Sequence, residues 1–440
     1  MKSSFAIEPS RASRVPLITS QGIWPFILLS SCFAWWGIAN NMTDPLVQAF
    51  IGIFDGLTTF QSSLIQFAFY GAYFALAIPG SIIARKFGYK VGVLTGLGIY
   101  TLGCFLFFPA AMAQQFIPFL IAFYVLAAGL SILETNANPY VLSIGPEASA
   151  TRRLNLAQSF NPVGSIIGTL LAQILILAKL ENLETLAADA TPAQAELLMD
   201  QQLTIVITPY IIIGVILIAV WILIALTRMP YVAETETKVN FRVTTRRLLG
   251  NTNYVFAVVA QFFYVGAQIS VWTFTVFYVP DQLGISGSEA LRTFHLPALI
   301  AFGVFRFIST AVMGRIQPNH VLLFMAIAAI FFTLVVIFAG GMAGSIALVC
   351  ISACMSLMFP TIFGLGSRGL GEDRKMGGAG LIMAILGGAL LTPLQGLLVD
   401  LTTVSVSYSI PLICFSVIAL YALYTVRVPV PGSEAGASGV

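Results

Sequence analysis

Twelve apolar runs, separated by short polar or charged stretches, divide the chain near 22–43, 60–84, 91–112, 116–143, 153–177, 204–227, 253–279, 289–314, 321–339, 343–366, 377–398 and 407–426. Each is long enough to cross about 30 Å of hydrocarbon as a helix. Several contain Gly or Pro, which membrane helices accept where neighbours or cavity water satisfy the freed backbone groups. The pattern predicts an all-α membrane protein with twelve transmembrane helices. The run from Gly22 follows a polar stretch carrying Lys2, Arg11 and Arg14 and has no small-residue cleavage pattern, so it reads as an uncleaved first helix.

Composition agrees: 58% of the 440 residues are hydrophobic and only 9% charged, which excludes an ordinary soluble globular protein. The net charge of +3 is too small and too scattered for nucleic-acid binding. Its distribution is more informative. The N-terminus, the loops after even-numbered helices and the C-terminus hold all but Lys179, Arg292 and Arg306 of the 21 basic residues, while the opposite side carries Glu181, Glu184, Asp189, Glu196 and Asp200. The positive-inside rule then predicts that both termini are cytoplasmic. The five cysteines lie in apolar segments, without metal-ligand spacing or a disulfide framework, and read as small core residues.

The longest cytoplasmic connection carries five basic residues and divides the helices six and six. The expected organisation is a cytoplasmic tail 1–21, a first half 22–227, a linker 228–252, a second half 253–426 and a tail 427–440. The halves read as an internal duplication. NPYVLSIG at 138–145 and FPTIFGLG at 359–366 each end the fourth helix of their half, and Pro139/Pro360 and Gly145/Gly366 match at one offset of 221. That offset sets Glu134 opposite Met355, Asn138 opposite Phe359, Asn155 opposite Met376, Gln158 opposite Ala379 and Asn161 opposite Ile382. The first half carries polar groups where the second offers apolar and aromatic surface.

Glu134 is the only formally charged side chain between Phe116 and Ser143. An ionised carboxylate at mid-membrane costs roughly 2.5 to 3.5 kcal/mol or more, so such a residue marks a pathway or binding cavity. Glu134 and Asn138 are four apart on one helical face; Asn155, Gln158 and Asn161, spaced by three, share a face of the next helix. Amides offer donors and acceptors in fixed pairs, which suits a ligand with several hydroxyls, although amides also hold helices together. In helix one, Trp36, Asn40 and Asn41 precede Asp44, which reads either as a carboxylate at the outer mouth of the cavity or as a solvated helix end before Pro45. In helix seven, Gln261, Gln268 and Trp272 form one stripe, with Trp272 either a platform for a sugar or packing. Arg306, inside helix eight, must neutralise an acid, bind the ligand or snorkel to the cytoplasmic edge. His295 and His320 have no metal or triad partner nearby in sequence, and no catalytic pair or cofactor motif is present, so an enzyme is not expected.

The strings WWGIANNMTDP, LETNANP, RRLNLAQSFNP, AQFFYVGAQISVW, FPTIFGLG and LTPLQG resemble the fucose permease branch of the major facilitator superfamily, the proton-coupled fucose, galactose and glucose symporters. The resemblance runs from helix one to helix eleven. It implies a major facilitator fold with alternating access in the bacterial inner membrane, acting as a monomer on a neutral monosaccharide, with the proton as coupling ion and neither cofactor nor metal. It implies proton-coupling roles for Asp44 and Glu134, and sugar-binding roles for Gln158 and Asn161. With the faces above, the candidate sugar-binding set is Trp36, Asn41, Glu134, Asn138, Gln158, Asn161, Gln268, Trp272, Phe359 and Arg306. Two departures stand out. The superfamily's signature between helices two and three normally carries an Asp, which ARKFGYK lacks; and Phe359 occupies a position where fucose permease has Tyr, as Ser270-Val271-Trp272 also differs. The alternatives are a small-molecule/proton antiporter of the same superfamily and a transport-inactive sugar sensor.

Overall fold

The computed structural model describes residues 16–18, 22–54, 59–177, 179, 180, 183, 192–229 and 241–428; the side chains of 43–49, Asp44 among them, lie outside the described set. Eleven helices are long and apolar enough to cross a membrane, and one of them, Phe67–Ala113, has 47 residues. At 1.5 Å per residue that is about 70 Å, more than twice the hydrocarbon thickness. Gly88 resolves the excess: its φ of 85° and ψ of 163° break the helix in a region essentially reserved for glycine. The described residues therefore supply twelve helices of spanning length, as the hydrophobic pattern predicts.

The first six helices are α1 (Ile23–Ile53), α2 (59–87), α3 (89–113), α4 (Phe116–Ser143), α5 (150–177, bent at Ser159) and α6 (Pro192–Leu226). The second six are α7 (Thr252–Leu283), α8 (291–312), α9 (Pro318–Phe338), α10 (341–366, interrupted after Met355), α11 (374–401, bent after Met383) and α12 (404–427, bent at Tyr408). Within the first half α1 packs on α5, and the α2–α3 hairpin packs on α4 and α6; within the second, α7 packs on α10, α11 and α12, and α9 on α10 and α12. The halves meet where α11 crosses the α2–α3 hairpin and α4, and where α5 lies against α8 and α10. The linker predicted at 228–252 contains a ten-residue helix, Phe241–Gly250.

Lipid tails are as apolar as leucine, so membrane helices associate largely through close backbone approach at small residues. The α1–α5 pair does this at Gly164 and Gly168, where an added Cβ would lie 2.9 Å from Ala34 Cα and 2.9 Å from Ile38 Cα respectively. Outward, Phe324, Phe331 and Phe338 of α9 are exposed by 60% or more, as lipid-facing residues should be. Arg153, fully buried, donates to the carbonyls of Val141 at 2.7 Å, Leu142 at 2.6 Å and Gly145 at 3.3 Å, and so caps the C-terminal end of α4.

Candidate functional site

The predicted polar faces of α4 and α5 do meet. Gln158 Nε2 donates to Asn138 Oδ1 at 2.7 Å, and both side chains are buried. Glu134, one turn before Asn138, is 4% exposed, and its Oε2 has no hydrogen-bond partner among the described residues; nor has Asn138 Nδ2. Leaving a buried polar group unpaired costs about 1–3 kcal/mol. The site therefore presents a buried carboxyl, an acceptor or, when protonated, a donor, with the Asn138 amide beside it and within interaction distance. On α2, Tyr73 lies within electrostatic reach of Glu134, and its hydroxyl takes a hydrogen bond from the Trp36 indole of α1. Four helices of the first half thus converge on one acid.

Other predicted residues are placed less centrally. Asn161 Nδ2 turns toward the Phe33 carbonyl of α1 at 3.4 Å, and Asn41, half-buried, donates to Gly37 of its own helix at 3.1 Å. Asn155 departs from the expected shared face with Gln158 and Asn161. Its Nδ2 donates to Thr361 Oγ1 at 3.1 Å, tying α5 to α10 across the halves. A spacing of three rotates a helical face by about 60° per step backwards, so a triplet spans a wide arc and its first member has reached the neighbouring helix.

The second half supplies the aromatic wall that the repeat comparison anticipates. Trp272 donates to Ser352 Oγ at 3.2 Å and packs edge-on against Phe302, ring centroids 5.0 Å apart. Phe359 sits against Tyr264 at 6.1 Å and Phe363 at 6.5 Å. Gln268 is half-buried without a hydrogen bond to any described residue, whereas Gln261 on the same stripe is fully buried with neither amide atom partnered. Arg306 corrects the expected choices. No acid lies within ion-pair distance of it among the described residues: 3% exposed, it donates through Nε to the Ser356 carbonyl and through Nη1 to the Gln158 carbonyl at 3.0 Å, with its guanidinium 4.6 Å above the Phe302 ring.

At the base-rich end the halves are joined by charge. Asp373 of the α10–α11 loop accepts from Arg85 of α2 at 3.3 Å and from Arg247 of the linker helix at 2.9 Å, while Arg374 pairs with Glu147 at 2.8 Å. Arg152 donates to the Thr310 carbonyl at 3.2 Å and Lys375 to the Ala84 carbonyl at 2.9 Å. The Asp missing from ARKFGYK is replaced by an acid from the opposite half. Sequence reasoning missed this charge cluster between the halves, although the complementary charges of the segments were its visible signal.

A family model described as Major Facilitator Superfamily matches residues 25–391. The L-fucose-proton symporter of Haemophilus influenzae is 42% identical over 412 residues, covering 91% of this chain and 96% of that protein. The glucose/galactose transporter of Brucella abortus is 32% identical over 408 residues, covering 92% and 95%. A crystal structure of the transporter FucP in the outward conformation superposes with a TM-score of 0.85 at 38% identity, over 92% of this chain and 99% of that one.

Proposed function

The chain belongs to the major facilitator superfamily, and from that premise we propose that it is a sugar–proton symporter of the bacterial inner membrane, importing L-fucose or a hexose such as galactose or glucose by alternating access. The observation that carries the reading is the buried Glu134, Asn138 and Gln158 cluster, joined through Arg306 to the Phe302 and Trp272 rings of the other half. A pyranose has the matching character, with hydroxyls on its rim and C–H groups on its faces. Protonated Glu134 donates to a sugar hydroxyl; deprotonated, it loses that donor and holds an ion that the cavity stabilises poorly. Loss of the proton on the inner side therefore weakens the sugar's hold and favours release.

Both termini face the cytoplasm in this reading, so the closed, base-rich gate is the inner one and the chain is outward-facing. The two halves then rock about the central site. One proton crossing 100 mV supplies about 2.3 kcal/mol, which supports roughly 50-fold accumulation. The test is uptake of labelled L-fucose, galactose, glucose and N-acetylglucosamine into energised vesicles, with and without an uncoupler, for the parent and Glu134→Gln. The variant keeps a donor but cannot ionise, so it should exchange sugar yet fail to accumulate it. Undiminished uncoupler-sensitive accumulation by Glu134→Gln would remove Glu134 from proton coupling.

A further inference from the structure

Arg306 is a buried cation for which no carboxylate lies within ion-pair distance among the described residues. Its two acceptors are unusual carbonyls. In a continuous helix the carbonyl of residue i accepts from the N–H of residue i+4. For Gln158 that residue is Pro162, and for Ser356 it is Pro360, neither of which has an N–H to give. Both carbonyls also sit where their helices are interrupted, α5 turning at Ser159 and α10 between Met355 and Met358. Two prolines on different halves thus leave two buried carbonyls without their helical donors, and one guanidinium serves both.

We propose that Arg306 is a positioning residue for sugar binding: it fixes the bend of α5, and with it the Gln158 side chain, against the second half for as long as the inner gate is closed. This deepens the symporter reading above and rests on it. Gln158 contributes its carbonyl to Arg306 and its amide to Asn138, so a shift of one moves the other. The two bonds differ in what they join. Ser356 belongs to the same half as Arg306, and Gln158 to the other; when the halves rock to open the inner side, the Gln158 bond separates while the Ser356 bond persists. Outward affinity and inner closure are then coupled through one side chain. Lysine cannot substitute, because two carbonyls from different helices need two nitrogens held in a rigid plane, and Phe302 supports that plane from below.

Alanine at position 162 returns an N–H to α5, which can then serve the Gln158 carbonyl without Arg306. The experiment is a double-mutant cycle in the full-length protein: parent, R306M, P162A and P162A/R306M, with R306K alongside, measuring outside-facing L-fucose, galactose and glucose affinity in proteoliposomes and melting temperature in detergent. R306M and R306K should each bind sugar at least tenfold more weakly than the parent. P162A/R306M should recover at least threefold of that loss, and its melting temperature should exceed the additive value. Additive effects in the cycle, or parental affinity in R306K, overturn the proposal. Should R306M not yield folded protein, the same cycle with R306K decides it by the same criteria. If the parent binds none of the three sugars the functional reading fails separately, and the melting-temperature cycle still decides whether Arg306 replaces the donors lost at the prolines.

Discussion

Replacing Asp373 by Asn removes the carboxylate that Arg85 and Arg247 share, and should bias the protein toward opening at its base-rich end. The two pairs are not equal. Arg85 and Asp373 are 9% and 12% exposed, so their pair is shielded and is assigned about 1 kcal/mol, the upper end for an ion pair near the surface. Arg247 is 57% exposed, which discounts its pair to about 0.3 kcal/mol. Their loss together shifts the balance of open to closed gate by about 1.3 kcal/mol, or roughly tenfold. Ser81 reports this directly: it is fully buried, one turn before Arg85, with its hydroxyl 3.3 Å from Met376 Sδ across the α2–α11 seam. A cysteine at position 81, in a background without the five native cysteines, should react with a maleimide about tenfold faster when Asp373→Asn is present. Arg247→Ala should accelerate it about twofold at most, and raising the salt to 1 M should shrink both differences. Equal labelling rates with and without Asp373→Asn at low salt would refute the gate.

Asn138→Ala breaks the link from Glu134's face to Gln158 and removes the amide beside the acid; at about 0.5–1.5 kcal/mol for a hydrogen bond, sugar affinity should fall up to about tenfold, seen as a raised KM with proton dependence retained. Gly164→Val places a branched side chain against the Ala34 backbone and should separate α1 from α5, with a cost of about 1–3 kcal/mol or more read as a lower melting temperature and a smaller monodisperse yield; an unchanged melting temperature would contradict the close packing. Glu134→Gln and the Arg306 cycle complete the set.

The number of crossings and the meeting of the α4 and α5 faces were legible in the chain because hydrocarbon thickness and helical period leave little freedom. Glu134 and Asn138 are four apart whatever surrounds them, and a buried acid needs company. Asn155 was misread because its fate depends on how far α5 rotates before Thr361 of α10 arrives, a tertiary quantity. Arg306 was left between an acid, the ligand and the cytoplasmic edge, since backbone carbonyls carry no letter in a sequence; only Pro162 and Pro360 betray which ones lack a helical donor. The charge cluster at Asp373 joins segments almost 290 residues apart, from Arg85 of α2 to Asp373, and complementary charge alone does not say which bases an acid will choose.

The concentration of polar groups in one half has a consequence for how such a protein can change over generations. Under the proposed function, the residues assigned to the proton and the hydroxyls, Glu134, Asn138 and Gln158, are carried by α4 and α5, while the aromatic side chains Trp272, Phe302 and Phe359 belong to α7, α8 and α10 of the other half. On that function, substitutions of Trp272, Phe302 or Phe359 should alter which sugar outline fits while leaving Glu134 in place. A change of sugar preference and a change of energy coupling then call on different helices, α7, α8 and α10 for the first and α4 and α5 for the second.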